Sequence, residues 1–324
     1  MRGISPQDNA TAKRAWCTHD LCDQCQSLGL GAPYLDDRLV RYRIYIDKGS
    51  TCPLCLYLFS FLVGDGTEAV PTVAPDYVCV LVDSVPENWD KTQRRVTFYD
   101  ETKMSSSTRH ILYPSHGHDG RRPDVSHRIL DRHTIDFALL KSWIEHCRAT
   151  HTESCSHRNI LSSQEIPENH GFKVIDCNTR QIVRSRMQDI SYVALSYVWG
   201  RVSSSDTSSG SNCLPMDLPN TIKDAIKITL HLGFQYLWVD KYCINQSDEE
   251  DKRKQVLMMD VIYHAATVTV VAGAGADSMH GLSGMSTPRA LRNTFLLDGI
   301  SWLAARADYK YPIKQSPWFS RGWT

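Results

Sequence analysis

The sequence predicts an α/β fold: a parallel sheet with flanking helices from about residue 190 onward, preceded by a cysteine-rich α+β region. Two observations carry this prediction. After residue 190, short runs rich in β-branched and aromatic residues alternate with amphipathic stretches, and strands separated by helices require the right-handed crossovers of a parallel sheet. Before that point, five cysteines fall within the first 55 residues, among segments that alternate between strand-like and loop-like composition.

The N-terminal region is expected to contain a pair of strands. Residues 77–83 (YVCVLVD) form a short apolar run with β-branched residues, and residues 95–99 are expected to pair with them. Residues 114–128 are polar and rich in histidine and arginine, which is typical of an exposed loop.

A helix and a hairpin are predicted next. The helix extends from Asp136, a suitable N-cap residue, to Thr150. Four residues at helical spacing give it one apolar face, namely Leu140, Trp143, Ile144 and Cys147. Residues 172–176 and 181–184 predict two short strands joined around Asn178.

From residue 190 the alternation becomes regular, with strands predicted at residues 192–197, 236–240 and 267–272. Pro219 opens the helix after the first strand, where proline is well tolerated. The acidic residues 248–251 start the next helix, at the end where the helix dipole favours negative charge. Near the C-terminus, Asp298-Gly299 between two apolar runs predicts a hairpin. We therefore divide the chain into residues 1–135, 136–189 and 190–324.

The composition excludes several classes of protein. Lys and Arg number 36 and so do Asp and Glu, so the chain has no net charge to attract a polyanion. The longest apolar run, residues 52–64, has about 13 residues and is too short to span a bilayer. The N-terminus lacks the apolar segment of a secretory signal, so an intracellular, cytoplasmic location is expected.

Two CxxC motifs predict a zinc site. They are Cys22-Asp-Gln-Cys25 and Cys52-Pro-Leu-Cys55. Two intervening residues let both sulfurs of a motif reach one tetrahedral ion, and four thiolates close the site, so a structural role is expected. Cys17 or His19 could replace one ligand. The alternative is that Cys52 and Cys55 serve only as small apolar residues on a helix face.

A second set of metal-ligand residues lies at the end of the predicted helix. Cys147, His151 and Cys155 follow one another at i, i+4 and i+8, which places them on one helical face if the helix continues that far. The alternative is a core-facing Cys147 and a His151 that interacts with the helix dipole.

Several blocks of the sequence resemble those of a known family, the fungal heterokaryon incompatibility (HET) domain. Residues 192–200 (YVALSYVWG) resemble its opening block and residues 316–324 (SPWFSRGWT) its final block. The blocks between them are similar in the same order, at residues 218–226, 237–246, 259–265 and 281–284. Several ordered blocks make the resemblance far more specific than one short motif.

The resemblance implies a module of fungal non-self recognition that triggers cell death when incompatible cells fuse. It implies a signalling and assembly domain with protein partners and self-association, and a fold similar to TIR domains, which is flavodoxin-like. Some TIR domains cleave NAD with a glutamate, so an NAD-cleaving hydrolase is an alternative by analogy. The family's final block normally continues into a Gln-Glu pair, so at Thr324 we expect an incomplete domain whose glutamate lies beyond this chain.

The candidate site is predicted from the residues that follow the ends of two predicted strands. Ser196, Tyr197, Trp199 and Gly200 follow the first predicted strand, and another group (Asp240, Cys243 and Gln246) follows the second. Because ligands bind outside the carboxyl ends of strands in open parallel sheets, we expect both groups to meet at one crevice. The alternative is that the aromatic residues are core and Asp240 caps a turn.

In the enzyme hypothesis, the candidate catalytic residues are Asp240, Ser196 and Tyr197. The candidate ligand-binding residues are Trp199, Gly200, Cys243, Gln246, Arg321 and Trp323. Cys243 has no hydrolase signature around it, which favours a buried thiol. Arg321 could pair with Asp240 or hold a phosphate. The alternative is that the tryptophans of this block cover the sheet edge and Arg321 forms a structural ion pair.

A third hypothesis is a zinc-dependent nucleic-acid binder that uses residues 94–133. Basic residues in this stretch are interleaved with acidic ones, which favours a solvated loop. The hypothesis predicts an affinity that falls steeply with salt.

Overall fold

A computed structural model gives the fold. It describes residues 14–16, 18–30, 40–44, 51–63, 78–82, 96–99, 110–114, 130–151, 171–200, 212–289, 294–298, 300–306 and 311–321. The chain divides into two compact units, an N-terminal unit (residues 1–128 with 291–311) and a second unit (residues 129–290 with 312–324). The division predicted at residues 135 and 189 stays a prediction.

The elements are as follows. The strands are β1 (Arg14–Trp16), β2 (Val40–Ile44), β3 (Val78–Val82), β4 (Val96–Tyr99), β5 (His110–Pro114), β6 (Lys173–Asp176), β7 (Gln181–Arg184), β8 (Tyr192–Ser196), β9 (Tyr236–Trp238), β10 (Val268–Val271), β11 (Thr294–Leu297) and β12 (Ile300–Arg306). The helices are α1 (Asp23–Gln26), α2 (Pro53–Val63), α3 (Phe137–Thr150), α4 (Asn220–His231), α5 (Asp240–Cys243), α6 (Glu249–Leu257), α7 (Met259–Ala265) and α8 (Tyr311–Lys314).

The described strands of the N-terminal unit form one sheet in the order β1-β11-β12-β5-β4-β3-β2. The predicted pairing of residues 77–83 with 95–99 is confirmed, since β3 and β4 are antiparallel with Val80 opposite Phe98. The predicted hairpin around Asp298 is confirmed as β11 and β12. Its outer partners, β1 and β5, come from far away in the sequence. Most of the predicted loop, residues 115–128, lies outside the described residues.

The second unit has a mixed sheet, in which the three strands predicted to be parallel are joined by the two strands of the hairpin predicted before residue 190. Its described strands follow the order β10-β8-β9-β6-β7. The three strands β10, β8 and β9 are parallel, whereas β6 is antiparallel to both β9 and β7. The predicted hairpin around Asn178 is confirmed as β6 and β7, and a connection this short can join only antiparallel strands. A TIR-like or flavodoxin-like fold stays a prediction.

The core of the second unit is built on β8, whose residues Tyr192 to Leu195 are all inaccessible to solvent. A strand buried along its whole length is typical of a sheet covered on both faces. The helical spacing of Ile222, Ala225, Ile226 and Thr229 predicts the inner face of α4, and three of these residues are buried while Ile226 is half-buried. Met258 separates α6 from α7, so the single helix predicted after residue 248 is two shorter ones.

Helix α3 begins as predicted, because the Asp136 carboxylate accepts a hydrogen bond from the Leu139 N–H at 2.9 Å. Its apolar face is only half-buried, and Trp143 is 61% exposed. Helical spacing determines which side chains share a face, but it does not determine how much of that face another element covers. None of the described helices is long and apolar enough to cross a membrane.

Candidate functional site

One residue from each group of strand-end residues is in contact, Trp199 with Asp240, while a shared ligand site for both groups stays a prediction. Strands β8 and β9 are parallel neighbours with Ala194 opposite Trp238, so their carboxyl ends lie at the same edge of the sheet. Just beyond these ends, the indole Nε1 of Trp199 donates to both carboxylate oxygens of Asp240, at 3.0 Å each. This shared hydrogen bond is the centre of the candidate site.

Asp240 is a buried carboxyl group, with only 6% of the residue exposed. Besides the Trp199 indole, the backbone N–H of Lys241 donates to its Oδ1 at 2.7 Å. Burial raises the pKa of Asp240 to about 6, although these two hydrogen bonds and the positive charge of Arg321 oppose that shift. The carboxyl group therefore titrates much closer to neutral pH than an exposed aspartate does.

Ser196 belongs to a chain of hydrogen bonds that reaches the C-terminal segment. The Trp318 Nε1 donates to the Ser196 Oγ at 2.8 Å, and the side chains of Ser196 and Tyr263 are also hydrogen-bonded to each other. The Tyr263 hydroxyl donates in turn to the Leu195 carbonyl oxygen at 3.2 Å. The serine hydroxyl is thus engaged on both sides by other side chains.

Tyr197 contributes two different groups to the site. Its carbonyl oxygen accepts a hydrogen bond from the guanidinium Nη1 of Arg321. Its hydroxyl is buried and has no hydrogen-bond partner among the described residues. Burial, followed by the nearby negative charge of Asp240, raises the pKa of Tyr197 well above its usual value. A buried hydroxyl without a partner loses the hydrogen bonds that water would give it.

Gly200 lies beside an open cleft of about 450 Å³ that is lined by Trp199, Gly200 and residues 276–279. The backbone of Gly200 has φ +81°, and a Cβ atom there would stand 2.5 Å from the Cβ of Asp277. Only glycine fits this conformation and this close approach.

The remaining candidates near Asp240 have structural contacts. Cys243 is 1% exposed, and its Sγ accepts a hydrogen bond from the Val239 N–H at 3.3 Å. Burial raises the pKa of the Cys243 thiol to about 12, which keeps it neutral. The Gln246 amide donates to the Asp240 carbonyl oxygen at 3.2 Å and so holds the turn after β9. Trp323 lies outside the described residues.

A buried carboxylate in α4 was missed by sequence reasoning. Asp224 is 1% exposed, and its Oδ2 accepts hydrogen bonds from the Leu282 N–H at 2.9 Å and from the Ser286 hydroxyl at 2.5 Å. It anchors the loop after residue 277, which forms one wall of the cleft. An aspartate one position before the buried Ala225, inside a helix, was the available signal, because such a charge needs internal partners.

In the N-terminal unit, the two CxxC motifs come together. The four sulfur atoms of Cys22, Cys25, Cys52 and Cys55 lie within 4.8 Å of one another, so they could hold a metal ion. Of the two proposed substitutes, His19 does not enter this group, since its side chain is 82% exposed beside Asp20, and Cys17 lies outside the described residues.

The second set of metal-ligand residues is seen only in part. The Cys147 Sγ and His151 Nδ1 lie 3.4 Å apart at the end of α3. Cys155 lies outside the described residues, so a three-ligand site on this helix stays a prediction.

Comparison with known proteins finds a family match in the C-terminal part of the chain. Residues 192–324 match the family described as heterokaryon incompatibility protein (HET). The chain is 33% identical over 94 residues to heterokaryon incompatibility protein 6, OR allele, of Neurospora crassa, and this match covers 25% of the chain and 14% of that relative. The chain therefore corresponds to a small part of the relative's length. No solved structure matches.

Proposed function

Because residues 192–324 form a heterokaryon incompatibility (HET) domain, we propose that this chain acts in fungal non-self recognition, with the domain as a signalling and assembly module that triggers cell death. The N. crassa relative carries heterokaryon incompatibility in its name. Protein partners and self-association follow from this role.

One observation carries the proposal: three separate blocks of the HET domain converge at the carboxyl ends of β8 and β9. Trp199 from the first block binds Asp240 from the second. Trp318 from the last block binds Ser196. The residues that give the domain its recognisable sequence are therefore those that hold its strand ends and its C-terminal segment together.

The contacts of Asp240 favour a module without turnover. Both of its oxygens accept hydrogen bonds from the protein, and little of the residue is exposed. A carboxylate that attacks a substrate, or activates water for that attack, must reach the reacting atom. Here the carboxylate faces the Trp199 indole, so its main role is to fix the position of Trp199, which lines the cleft.

Cleavage of NAD is the second candidate, and one observation favours it. Asp240 has a pKa raised to about 6, and its hydrogen-bond partner Trp199 lines the cleft. A carboxyl group with a strongly shifted pKa in a cleft is a common mark of a catalytic site. In this alternative, Trp199 would stack on the nucleotide and Asp240 would bind it.

Both candidates are tested by expressing the 324-residue chain under an inducible promoter in a filamentous fungus. Cell death is scored with a vital dye, and nicotinamide release from NAD is measured with the purified chain. The key variant is Asp240→Asn, which keeps an oxygen to accept from Trp199 but removes the charge. The matched control is Asp260→Ala, at an exposed position of α7.

The signalling proposal expects cell death from the native chain and from Asp240→Asn, with no nicotinamide release from either protein. Nicotinamide release by the native chain, lost in Asp240→Asn and kept in Asp260→Ala, would contradict the signalling proposal and support the NAD-cleaving enzyme. An induced, folded chain that leaves cells viable would contradict the signalling proposal.

A further inference from the structure

We propose that Cys22, Cys25, Cys52 and Cys55 bind one zinc ion in a closed four-sulfur site that holds the N-terminal unit together. This site is separate from the HET domain, because all four ligands precede residue 56. The proposal therefore stands or falls independently of the proposed function.

The sulfur geometry fits a single tetrahedral ion. The Cys22 and Cys55 sulfurs lie 3.7 Å apart, the Cys25 and Cys55 sulfurs lie 3.5 Å apart, and no pair exceeds 4.8 Å. A tetrahedron with zinc–sulfur bonds of about 2.3 Å has edges of about 3.8 Å. One ion at the centre would need only small movements of the four side chains.

The same distances argue against disulfides. A disulfide requires its sulfurs at about 2.05 Å. The Cys25 and Cys55 sulfurs are instead 3.5 Å apart, and none of the four cysteines forms a disulfide. The cysteines also form one compact group in which each sulfur approaches all the others, whereas disulfides would separate into two pairs.

The backbone around each motif is arranged for metal binding. Cys22 occupies the N-cap position of the short helix α1, with Cys25 in the first turn of that helix. Cys52 directly precedes α2, and its carbonyl oxygen accepts from the Leu56 N–H at 3.0 Å. Each CxxC motif therefore lies at the start of a helix, and both of its sulfurs belong to the four-sulfur group.

The expected role of the ion is structural rather than catalytic. Three of the four ligands are buried, and four protein ligands leave no open position for water or substrate. The two segments that carry the cysteines also contain a few buried apolar side chains, which are Leu21, Leu28, Leu30, Leu54, Tyr57 and Leu58. A core this small benefits from a metal that ties its two segments together.

Zinc is measured in the full chain purified from cells grown with added zinc. The expected result is one zinc per chain by elemental mass spectrometry, falling to near zero in Cys25→Ser. Cys213→Ser, at an exposed cysteine outside the cluster, is the matched control and should keep its zinc. Cobalt(II) exchange should give the intense visible bands of tetrahedral thiolate coordination.

Folding is measured separately, because a Cys25→Ser chain that fails to fold would lose its zinc whether or not Cys25 is a ligand. A strong chelator added to the native chain should open residues 21–58 to protease, and zinc added back should restore protection. A zinc content near zero in the native chain, stoichiometric iron, or the loss of two hydrogen masses per disulfide would each overturn the proposal. Protease protection unchanged by zinc removal would overturn the structural role.

Discussion

The indole nitrogen of Trp199 lies 3.0 Å from each of the two carboxylate oxygens of Asp240, and this one donor joins the ends of two neighbouring parallel strands. A charged group buried to this extent depends on such hydrogen bonds for its solvation. The pair therefore gives the most direct test of the site.

Replacing Trp199 with Phe removes the indole N–H while it keeps an aromatic ring. The buried carboxylate loses its side-chain donor, so we expect the free energy of unfolding to fall by about 2 kcal/mol at neutral pH. Trp143→Phe is the matched control, since Trp143 is 61% exposed and should change stability by less than about 0.5 kcal/mol. Urea denaturation measures both, and equal effects of the two substitutions would contradict the assigned bond.

The charge of Asp240 should make stability depend on pH. Its folded pKa of about 6 lies above the usual 3.8, so the folded state binds the proton more tightly than the unfolded state. Protonation therefore stabilises the fold, and this contribution is lost as pH rises from about 4 through 6. Above pH 6 the ionised group costs about 3 kcal/mol relative to the protonated one.

Asp240→Asn isolates this effect because asparagine imitates the neutral form. The stability of the variant relative to the native chain should increase between about pH 4 and 6 and stay constant above that range. Urea denaturation of both proteins at closely spaced pH values measures the difference. A difference that does not vary with pH would mean that Asp240 titrates at its ordinary value.

Two glycines allow the cost of a left-handed backbone to be compared with the added cost of a steric clash. Gly233 has φ +89°, and a Cβ atom added there would have nothing within 4 Å, so Gly233→Ala should cost only the left-handed backbone penalty of about 1–2 kcal/mol. Gly200 has a similar φ of +81° but approaches Asp277 closely, so Gly200→Ala should cost clearly more. Thermal unfolding of both variants checks the order, and a reversed order would refute the close approach.

Two buried tyrosines predict opposite effects of losing a hydroxyl. The Tyr192 hydroxyl donates to the Ile262 carbonyl oxygen at 2.5 Å, so Tyr192→Phe should cost about 1 kcal/mol. The Tyr197 hydroxyl has no partner in the described part of the chain, so Tyr197→Phe should leave stability unchanged or raise it. A loss in Tyr197→Phe as large as that in Tyr192→Phe would instead indicate a bound molecule at that hydroxyl.

Local patterns predicted the elements of the second unit well. The β6–β7 hairpin, the cap at Asp136 and the buried face of α4 follow from spacing and turn chemistry, which act between near neighbours. The mixed character of its sheet did not follow, because nothing within β6 specifies which distant strand it joins. For the same reason, the sequence predicted the β11–β12 hairpin but not its pairing with β1 and β5.

The candidate site was predictable where it depends on strand order. The rule that parallel strand ends meet brought Trp199 and Asp240 together correctly. The contact of Arg321 was not predictable, since it binds the carbonyl oxygen of Tyr197, and every residue offers such an oxygen. Asp224 was missed because its partners are mainly backbone N–H groups of a loop without regular structure.

The contacts of the C-terminal segment also bear on how the domain is made. Trp318 and Ser196 are 122 residues apart in the chain, and Arg321 and Tyr197 are 124 apart. Contacts between such distant residues form slowly, and ribosomes add roughly 5–20 residues per second. The carboxyl end of β8 must therefore wait several seconds during synthesis for these partners.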